Sequence, residues 1–266
     1  MRYKKKNYLV SIIINCHNGD KYLDKAINSI IKQTYNNWEI IFWNNKSEDK
    51  SEEIIKKFND KRIKYYESKK YLKLYNARNE AIKNAKGNYI CFLDCDDWWD
   101  KNKIKLQLNE LESNKLNIIY SNYYLFNEKN KYKKIFSKKY LPSGYITQQL
   151  LKKYVIAMSS IMISAKFLKN NLFNSKYEII GDFDFIIRSS IHNRILCVQK
   201  PLLFARIHKK NFSLTRRDLH IFELKNWLND NNKLLKKIGI SLRDQKLYLF
   251  KLELKKFINN FFKINI

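Results

Sequence analysis

The sequence has few of the residues that interrupt helices and strands, and few that form cross-links. Its 266 residues include only five glycines, two prolines and four cysteines. No two cysteines form a CxxC pair, and Cys16 and Cys91 lie within apolar, strand-like runs. We therefore expect free thiols in a reducing compartment. A chain of this size buries about 70–75% of its unfolded surface, so disulfides are not needed for stability.

Acidic residues are also scarce. The chain has 25 Asp and Glu against 53 Lys and Arg, a formal net charge of +28. Such a surface attracts nucleic acid, anionic lipid or phosphorylated substrates, although a solvated lysine coat explains the same composition. A basic nucleic-acid binding protein is one alternative, but no zinc spacing or RNA-binding block accompanies the charge. We expect no nucleic-acid partner.

Long hydrophobic runs are missing as well. A membrane-spanning helix needs about 20 apolar residues, and the longest candidate, "YVIAMSSIMISA" at 154–165, is shorter and contains serines. The basic, then briefly apolar N-terminus has no small-residue cleavage site typical of a signal peptide. We expect a cytoplasmic protein.

Strand-like and helical patterns alternate in the first hundred residues. Apolar, β-branched runs typical of buried strands alternate with segments of helical periodicity, the strands at 8–15, 38–43, 62–66 and 88–94, the helices at 20–33, 48–58 and 73–86. This alternation predicts an α/β fold with a parallel sheet covered by helices on both faces. Ligands of such sheets bind beyond the carboxyl ends of the strands.

The second half predicts a mixed arrangement. Helical patterns occupy 101–114, 145–154 and 182–192, and strand patterns occupy 116–126, 158–164 and 194–208. Residues 218–266 are mostly helical by periodicity. We therefore divide the chain into a catalytic domain at 1–217 and a helical C-terminal extension at 218–266.

The segment "CFLDCDDWW" at 91–99 places carboxylates at the end of an apolar strand. Like charges close together are unfavourable unless a positive group lies between them. Mg²⁺ takes one or two protein carboxylates and completes its shell with water and phosphate oxygens. Asp94 and Asp96 thus suit a metal that bridges the protein to a diphosphate. A solvated acidic turn before the next helix is the alternative.

Four sequence blocks in a fixed order carry a family resemblance. They are "VSIIINCHN" at 10–18, "QTYNNWEIIFWNNKSED" at 33–49, "ARNEAIKNAKGNYICFLDCDD" at 77–97 and "EIIGDFDF" at 178–185. Together they resemble the family 2 glycosyltransferases of the GT-A fold. The resemblance implies a mixed, Rossmann-like sheet and a non-processive, inverting transfer of sugar from a nucleotide-diphosphate donor, with Mn²⁺ or Mg²⁺ as cofactor.

The resemblance also assigns the donor site. It implies nucleotide-sugar binding by five residues: Asn15, His17, Asn45 and Asp94 at the ends of the first strands, and Arg78 on the third predicted helix. The expected donor is a UDP-, GDP- or dTDP-sugar. Asn44 and Asn45 replace two family aspartates, and His17 replaces an aromatic residue, which leaves the base open.

Catalytic and metal roles follow from the same blocks. The resemblance implies that Asp96 is the direct metal ligand and that Asp182 is the base, with Gly181 in place of a family Glu. "ARIHKKNFS" at 205–213 resembles a closing motif whose His208 completes the metal or diphosphate site. Flat rings at Trp98 and Trp99 are candidate sugar or acceptor contacts, with core packing as the alternative.

The acceptor implied by the resemblance is a glycan or a lipid-linked saccharide in bacterial surface polysaccharide synthesis. The tail "LYLFKLELKKFINNFFKI" at 247–264 interleaves Lys with apolar residues, as an interfacial helix on an anionic membrane does. A helix packed on the core is the alternative. A nucleotidyltransferase with a similar sheet is a further alternative, although such enzymes carry a Gly-rich loop where this chain has "NCHNGDKYL".

Overall fold

A computed structural model describes residues 7–209, 211 and 215–264. Positions 210 and 212–214, within and after the predicted closing motif, lie outside the described residues, as do 1–6 and 265–266. The described strands form one sheet: β1 Val10–Cys16, β2 Trp38–Asn44, β3 Ile63–Glu67, β4 Tyr89–Phe92, β5 Trp98–Trp99, β6 Ile118–Asn127, β7 Tyr132–Ile135, β8 Met162–Ser164 and β9 Ile195–Ile207.

Helices cover both faces of this sheet. Their bounds are α1 Asp20–Ile31, α2 Ser51–Lys57, α3 Leu74–Lys83, α4 Lys103–Asn114, α5 Thr147–Lys152, α6 Ala165–Asn170, α7 Gly181–His192, α8 Arg217–Lys237 and α9 Arg243–Ile264. A 3₁₀ turn lies at Met158–Ser160. None of these helices is long and apolar enough to cross a membrane.

The first half of the sheet is parallel, as predicted. Its order is β3-β2-β1-β4, with Cys16 at the end of β1 opposite Asn44 at the end of β2. Strands β1 and β2 are buried on both faces, which explains their continuous apolar sequence. All four carboxyl ends meet at one edge, so the loops that follow them lie together.

The second half is mixed, as the fold prediction states. Strand β8 runs antiparallel between β4 and β6, and β9 runs parallel to β6 with register shifts near Asn122. The short strand β5 pairs antiparallel with β9. The sequence patterns missed β5, β7 and α6. Because β9 extends along β6 to Ile207, its end brings the segment around His208 to the loop after β4.

Two apolar layers form the core, one on each face of the sheet. Helix α1 buries Leu23, Ala26, Ile27 and Ile30, spaced three to four residues apart, against the sheet on one side. On the other side, α8 contributes Leu224 and Trp227 to the same cluster as α3 and α7. Helix α8, which begins at the predicted domain boundary, is thus part of the core. The division at 217 stays a prediction.

Candidate active site

The side chain of Asn45, in the loop after β2, forms two hydrogen bonds with the backbone of Leu72. Its Nδ2 donates to the Leu72 carbonyl at 2.8 Å, and its Oδ1 accepts from the Leu72 N–H at 3.0 Å. Both ends of the amide are therefore engaged within the protein. A hydrogen bond from Asn45 to a nucleotide base, as the sequence predicts, requires that this reciprocal pair opens.

His17 follows β1 and contacts the loop after β2. Its Nδ1 is 3.0 Å from the Asn45 carbonyl and 3.1 Å from the Lys46 carbonyl, so Nδ1 is the protonated nitrogen. The ring packs edge-on to Tyr71, whose side chain is 49% exposed, with centroids 4.8 Å apart. Tyr71 belongs to no recognised block, and sequence reasoning missed it.

Asn15, the residue before the last of β1, has two side-chain atoms that are unpaired in the described part of the chain. Its Oδ1 and Nδ2 are both buried and have no hydrogen-bond partner among the described residues. A buried amide without partners costs about 1–3 kcal/mol. Such a group is poised for a ligand that supplies the missing bonds.

Arg78 on α3 faces the acidic segment after β4. Its Nη2 lies 2.7 Å from Asp94 Oδ1, and the guanidinium side chain is 4% exposed whereas that of Asp94 is 47% exposed. The Nε of Arg78 is buried and unpaired among the described residues. The buried guanidinium thus lies beside an accessible carboxylate and keeps one N–H without a partner among the described residues.

Asp96 and His208 meet, although they are 112 residues apart in the chain. Asp96 Oδ2 is 2.9 Å from His208 Nε2 and also accepts from Asn211 Nδ2 at 3.1 Å. Burial, and secondly the charge of Asp94, raise the pKa of Asp96, while His208 lowers it. The closing-motif block includes Asn211, but sequence reasoning gave this residue no role.

The described residues contain no cluster of three or more His, Cys, Asp and Glu side chains suited to a metal ion. Asn211 presents its NH₂ group to Asp96, and an amide NH₂ does not bind metal ions, so the candidate ligands are the Asp96 carboxylate and the His208 imidazole, 2.9 Å apart. This set fits a Mg²⁺ or Mn²⁺ ion that completes its shell with water and diphosphate oxygens.

Asp97 supports the loop that carries Asp96. Its buried Oδ1 accepts from the Arg206 N–H at 2.9 Å, and Arg206 Nε donates to the Asp96 carbonyl at 2.8 Å. Burial, together with the charges of its acidic neighbours, raises the pKa of Asp97 well above its usual range. These bonds tie the loop after β4 to the end of β9.

Asp182 lies in the first turn of α7, beside Tyr75 of α3. The Tyr75 hydroxyl lies 3.2 Å from Asp182 Oδ1 and 3.2 Å from the Ile179 carbonyl, and Oδ1 also accepts from the Phe183 N–H at 2.7 Å. Burial raises the pKa of Asp182, and the positive charge of Arg78 opposes that rise. One carboxylate oxygen is thus held, and its carboxyl has more proton affinity than an exposed aspartate.

A chain of contacts links the predicted donor and base residues. Asp94 bonds Arg78, whose guanidinium lies 5.4 Å from the ring centroid of Tyr75, and Tyr75 reaches Asp182. The Tyr154 hydroxyl is buried and unpaired among the described residues, and burial, followed by the charge of Asp182, raises its pKa. Tyr75 and Tyr154 resemble ordinary core aromatics in sequence, so pattern reasoning could not select them.

For Trp99 the structure favours the core-packing alternative over a sugar contact. Its side chain is 3% exposed and its Nε1 donates to the Ser159 carbonyl at 2.8 Å, both typical of core packing. Trp98 is half-buried and stacks on Phe204 at 5.0 Å, with the Lys25 ammonium 3.5 Å from its ring centroid. Protein groups already engage this ring.

The fold and these residues define the class of protein. The family model "Glycosyl transferase family 2" matches residues 11–191. The chain belongs to glycosyl transferase family 2, and its sheet is that of the GT-A fold.

Two Escherichia coli relatives are similar in sequence. UDP-Glc:alpha-D-GlcNAc-diphosphoundecaprenol beta-1,3-glucosyltransferase WfaP is 31% identical over 252 residues, 91% of each chain. The enzyme of the same description called WfgD is 33% identical over 162 residues, 61% of this chain and 62% of WfgD. The match to an uncharacterized Rickettsia conorii glycosyltransferase is 37% identical but spans only 33% of that protein.

Two solved structures share the fold. Mannosyltransferase PcManGT from Pyrobaculum calidifontis, in complex with GDP-Man and Mn²⁺, superposes with a TM-score of 0.65 at 11% identity, covering 92% of this chain and 70% of that one. S. aureus TarS in complex with UDP-GlcNAc gives 0.63 at 16% identity, covering 83% and 66%.

Proposed function

We propose that this protein is an inverting, metal-dependent glycosyltransferase that moves a sugar from a nucleotide-diphosphate donor to a hydroxyl of a lipid-linked or free glycan. The observation that carries the proposal is a group of buried polar atoms without partners among the described residues: both amide atoms of Asn15, the Nε of Arg78 and the hydroxyl of Tyr154. Unpaired buried groups are costly, and a polar substrate would satisfy them.

The donor side of the site is formed by the ends of β1, β2 and β4. Arg78 and Asp94 offer a fixed cation and an accessible carboxylate to the ribose and phosphates, and His17 with Tyr71 offers exposed rings for the base. Asp96 and His208 would hold Mn²⁺ or Mg²⁺, which supplies Lewis-acid stabilisation of charge on the leaving diphosphate.

Asp182 acts as the general base in this proposal. Its Oδ1 is engaged by Tyr75 and by the Phe183 N–H, so Oδ2 takes the proton from the acceptor hydroxyl. The acceptor oxygen attacks C1 of the sugar as the bond to the diphosphate breaks, which inverts the anomeric centre. Because burial raises the pKa of Asp182, the carboxylate is a stronger base than an exposed aspartate.

The E. coli relatives suggest the first substrates to test. Their names specify UDP-glucose as donor and GlcNAc-diphosphoundecaprenol as acceptor. We propose the same classes here, a UDP-sugar and a saccharide linked through diphosphate to a polyprenol. The net charge of +28 favours an acceptor that carries a diphosphate.

We also propose that the protein lies on the inner face of the cytoplasmic membrane. Helix α9 packs one side against the core, since Gln245 donates to the Leu151 carbonyl at 2.7 Å. Its other side exposes Leu247, Phe250, Leu254 and Phe257, each 46–68% accessible and spaced three to four residues apart. Lysines nearby on the helix suit anionic headgroups.

Vesicle co-sedimentation tests the membrane proposal. The double variant Phe250→Ser/Leu254→Ser should lose binding to vesicles that contain phosphatidylglycerol. Tyr132→Ser/Tyr140→Ser, which removes exposed rings from another surface, should retain it. Equal binding by both variants would contradict a role for α9.

The transferase proposal is tested with UDP-glucose, Mn²⁺ and a GlcNAc-diphospho-lipid. Asp96→Ala should abolish the Mn²⁺-dependent thermal shift caused by UDP-glucose. Asp182→Asn should keep that shift and lower kcat by about 10²–10⁴-fold, the usual contribution of general base catalysis. Asp24→Asn, an exposed carboxylate on α1, is the control. Release of pyrophosphate instead of UDP would favour a nucleotidyltransferase.

A further inference from the structure

Glu223 of α8 binds the segment that precedes the proposed base. Its carboxylate accepts three consecutive backbone N–H groups, those of Glu178 at 2.6 Å, Ile179 at 2.9 Å and Ile180 at 3.1 Å. Glu223 is 5% exposed. Bonds from N–H groups to an ionised acceptor are short and about twice as strong as neutral ones. One buried side chain therefore binds three successive backbone groups just before α7.

Trp227 binds the segment that follows the proposed base. It lies four residues after Glu223, so both side chains project from the same face of α8. Its Nε1 donates to Asp184 Oδ1 at 2.9 Å, and its ring packs edge-on to Phe183 with centroids 4.9 Å apart. The Trp227 side chain is fully buried.

These contacts bracket Asp182 on both sides along the chain. Residues 178–180 are fixed by Glu223, and residues 183 and 184 are fixed by Trp227. The Tyr75 hydroxyl lies between the Ile179 carbonyl and Asp182 Oδ1, so it reaches both only while the backbone before α7 stays in place. A shift of this backbone would move the carboxylate relative to a bound acceptor.

We propose that Glu223 and Trp227 are positioning residues that orient the Asp182 carboxylate for catalysis. The proposal rests on the assignment of Asp182 as the base. It gives helix α8, which lies after the matched range 11–191, a part in turnover. Neither side chain contacts the donor-site residues Arg78 and Asp94 in the described structure, so donor binding should be independent of them.

The expected effect is on kcat rather than on KM for the donor. In Glu223→Gln the amide keeps the shape of the side chain, but its NH₂ group meets N–H donors and leaves at least one of them unpaired. A misplacement of about 1 Å at a reacting group costs on the order of 10²-fold in rate. We expect kcat to fall about 10- to 100-fold in Glu223→Gln and less in Trp227→Phe, which keeps most of the packing.

The experiment measures UDP release from UDP-glucose with Mn²⁺, both with a GlcNAc-diphospho-lipid and with water as the acceptor. Asp230→Asn is the matched control, because Asp230 lies on α8 and pairs with the Lys176 ammonium rather than with the backbone. Thermal melting corrects each rate for the folded fraction. The kcat–pH profile also reports on the Asp182 carboxylate. If Glu223→Gln or Trp227→Phe lets water reach Asp182, the pKa of this carboxyl should fall, and the acidic limb of the profile should move to lower pH.

Support for the proposal is a loss of kcat in Glu223→Gln and Trp227→Phe with KM for UDP-glucose within about twofold and with Asp230→Asn unchanged. Unchanged kcat per folded molecule, or a matching rise in KM, would overturn it. The variant Asp182→Asn distinguishes a failure of the positioning proposal from a failure of the base assignment. If Asp182→Asn is inactive while Glu223→Gln is fully active, only the positioning role fails. If Asp182→Asn is fully active, the base assignment fails, and the positioning proposal with it.

Discussion

Replacing Gly181 by alanine should force a methyl group into the ring of Tyr75. A Cβ at position 181 would lie 2.4 Å from Cδ2, 2.5 Å from Cε2 and 2.7 Å from Cγ of that ring. Favourable carbon–carbon contacts lie at about 3.5–4.0 Å. The ring has little room to move, because Tyr75 is 2% exposed and packs against Phe173 with centroids 5.4 Å apart.

Two opposing effects set the size of the change. Overpacking a core costs about 1–3 kcal/mol. Alanine gains at most about 1 kcal/mol over glycine within a helix, and less at Gly181, the first residue of α7. The clash therefore wins, and Gly181→Ala should lower the free energy of unfolding by about 1–2 kcal/mol. At about 2–4 °C for each kcal/mol, the melting temperature should fall by about 2–8 °C.

A double-mutant cycle with Tyr75→Ala isolates the cause. Tyr75→Ala removes the whole ring that the new methyl group would meet, so Gly181→Ala in that background should be neutral or slightly stabilising. Urea unfolding of the four proteins gives the coupling energy. An equal cost of Gly181→Ala in both backgrounds would refute the reasoning, because it would show that the ring is not what the methyl group meets.

Three further changes have defined outcomes. Tyr75→Phe removes a hydroxyl that stabilises the ionised form of Asp182, so the pKa of that carboxyl should rise further and the acidic limb of the kcat–pH profile should move to higher pH. Burial lowers the pKa of Lys103 below its ordinary value of 10.5, so the free energy of unfolding of the wild type should increase as the pH rises toward that value. Urea unfolding at several pH values should show no such increase in Lys103→Met. The same pH dependence in both proteins would contradict this. Trp99→Phe leaves a buried carbonyl unpaired and should cost about 1–3 kcal/mol with acceptor KM unchanged; a raised KM without loss of stability would restore its sugar contact.

Strands β1 and β2 could be predicted because each is buried on both faces and is therefore a continuous apolar run. Strand β3 is only partly buried, and it is predicted from the alternation of strands and helices. The edge where Asp94, Asp96 and Asn45 lie follows from that parallel order alone. The approach of Asp96 to His208 was expected from the resemblance, and the structure brings them within 2.9 Å. Their roles, like those of the other candidate residues, stay predictions.

Long-range side-chain partners could not be predicted. Tyr75 bonds Asp182 across 107 residues, and Glu223 bonds backbone groups 43–45 residues away. In sequence, Tyr75 is one aromatic residue on a helical face, and Glu223 is one acid among many charges on α8. The sequence leaves Trp99 open between a sugar contact and core packing, because only the position of β8 and the turn before it shows that the indole is enclosed.

The contacts of Glu223 and Trp227 on either side of Asp182 have a consequence for how such enzymes diversify. Exchange of gene segments between relatives at a junction near residue 200 would combine the α7 of one parent with the α8 of another. If Glu223 and Trp227 position Asp182 as proposed, the hybrid would keep that arrangement only when the new α8 carried an acidic residue and a tryptophan four positions apart. On this proposal α7 and α8 should be inherited together, because the residues that would orient Asp182 lie on α8.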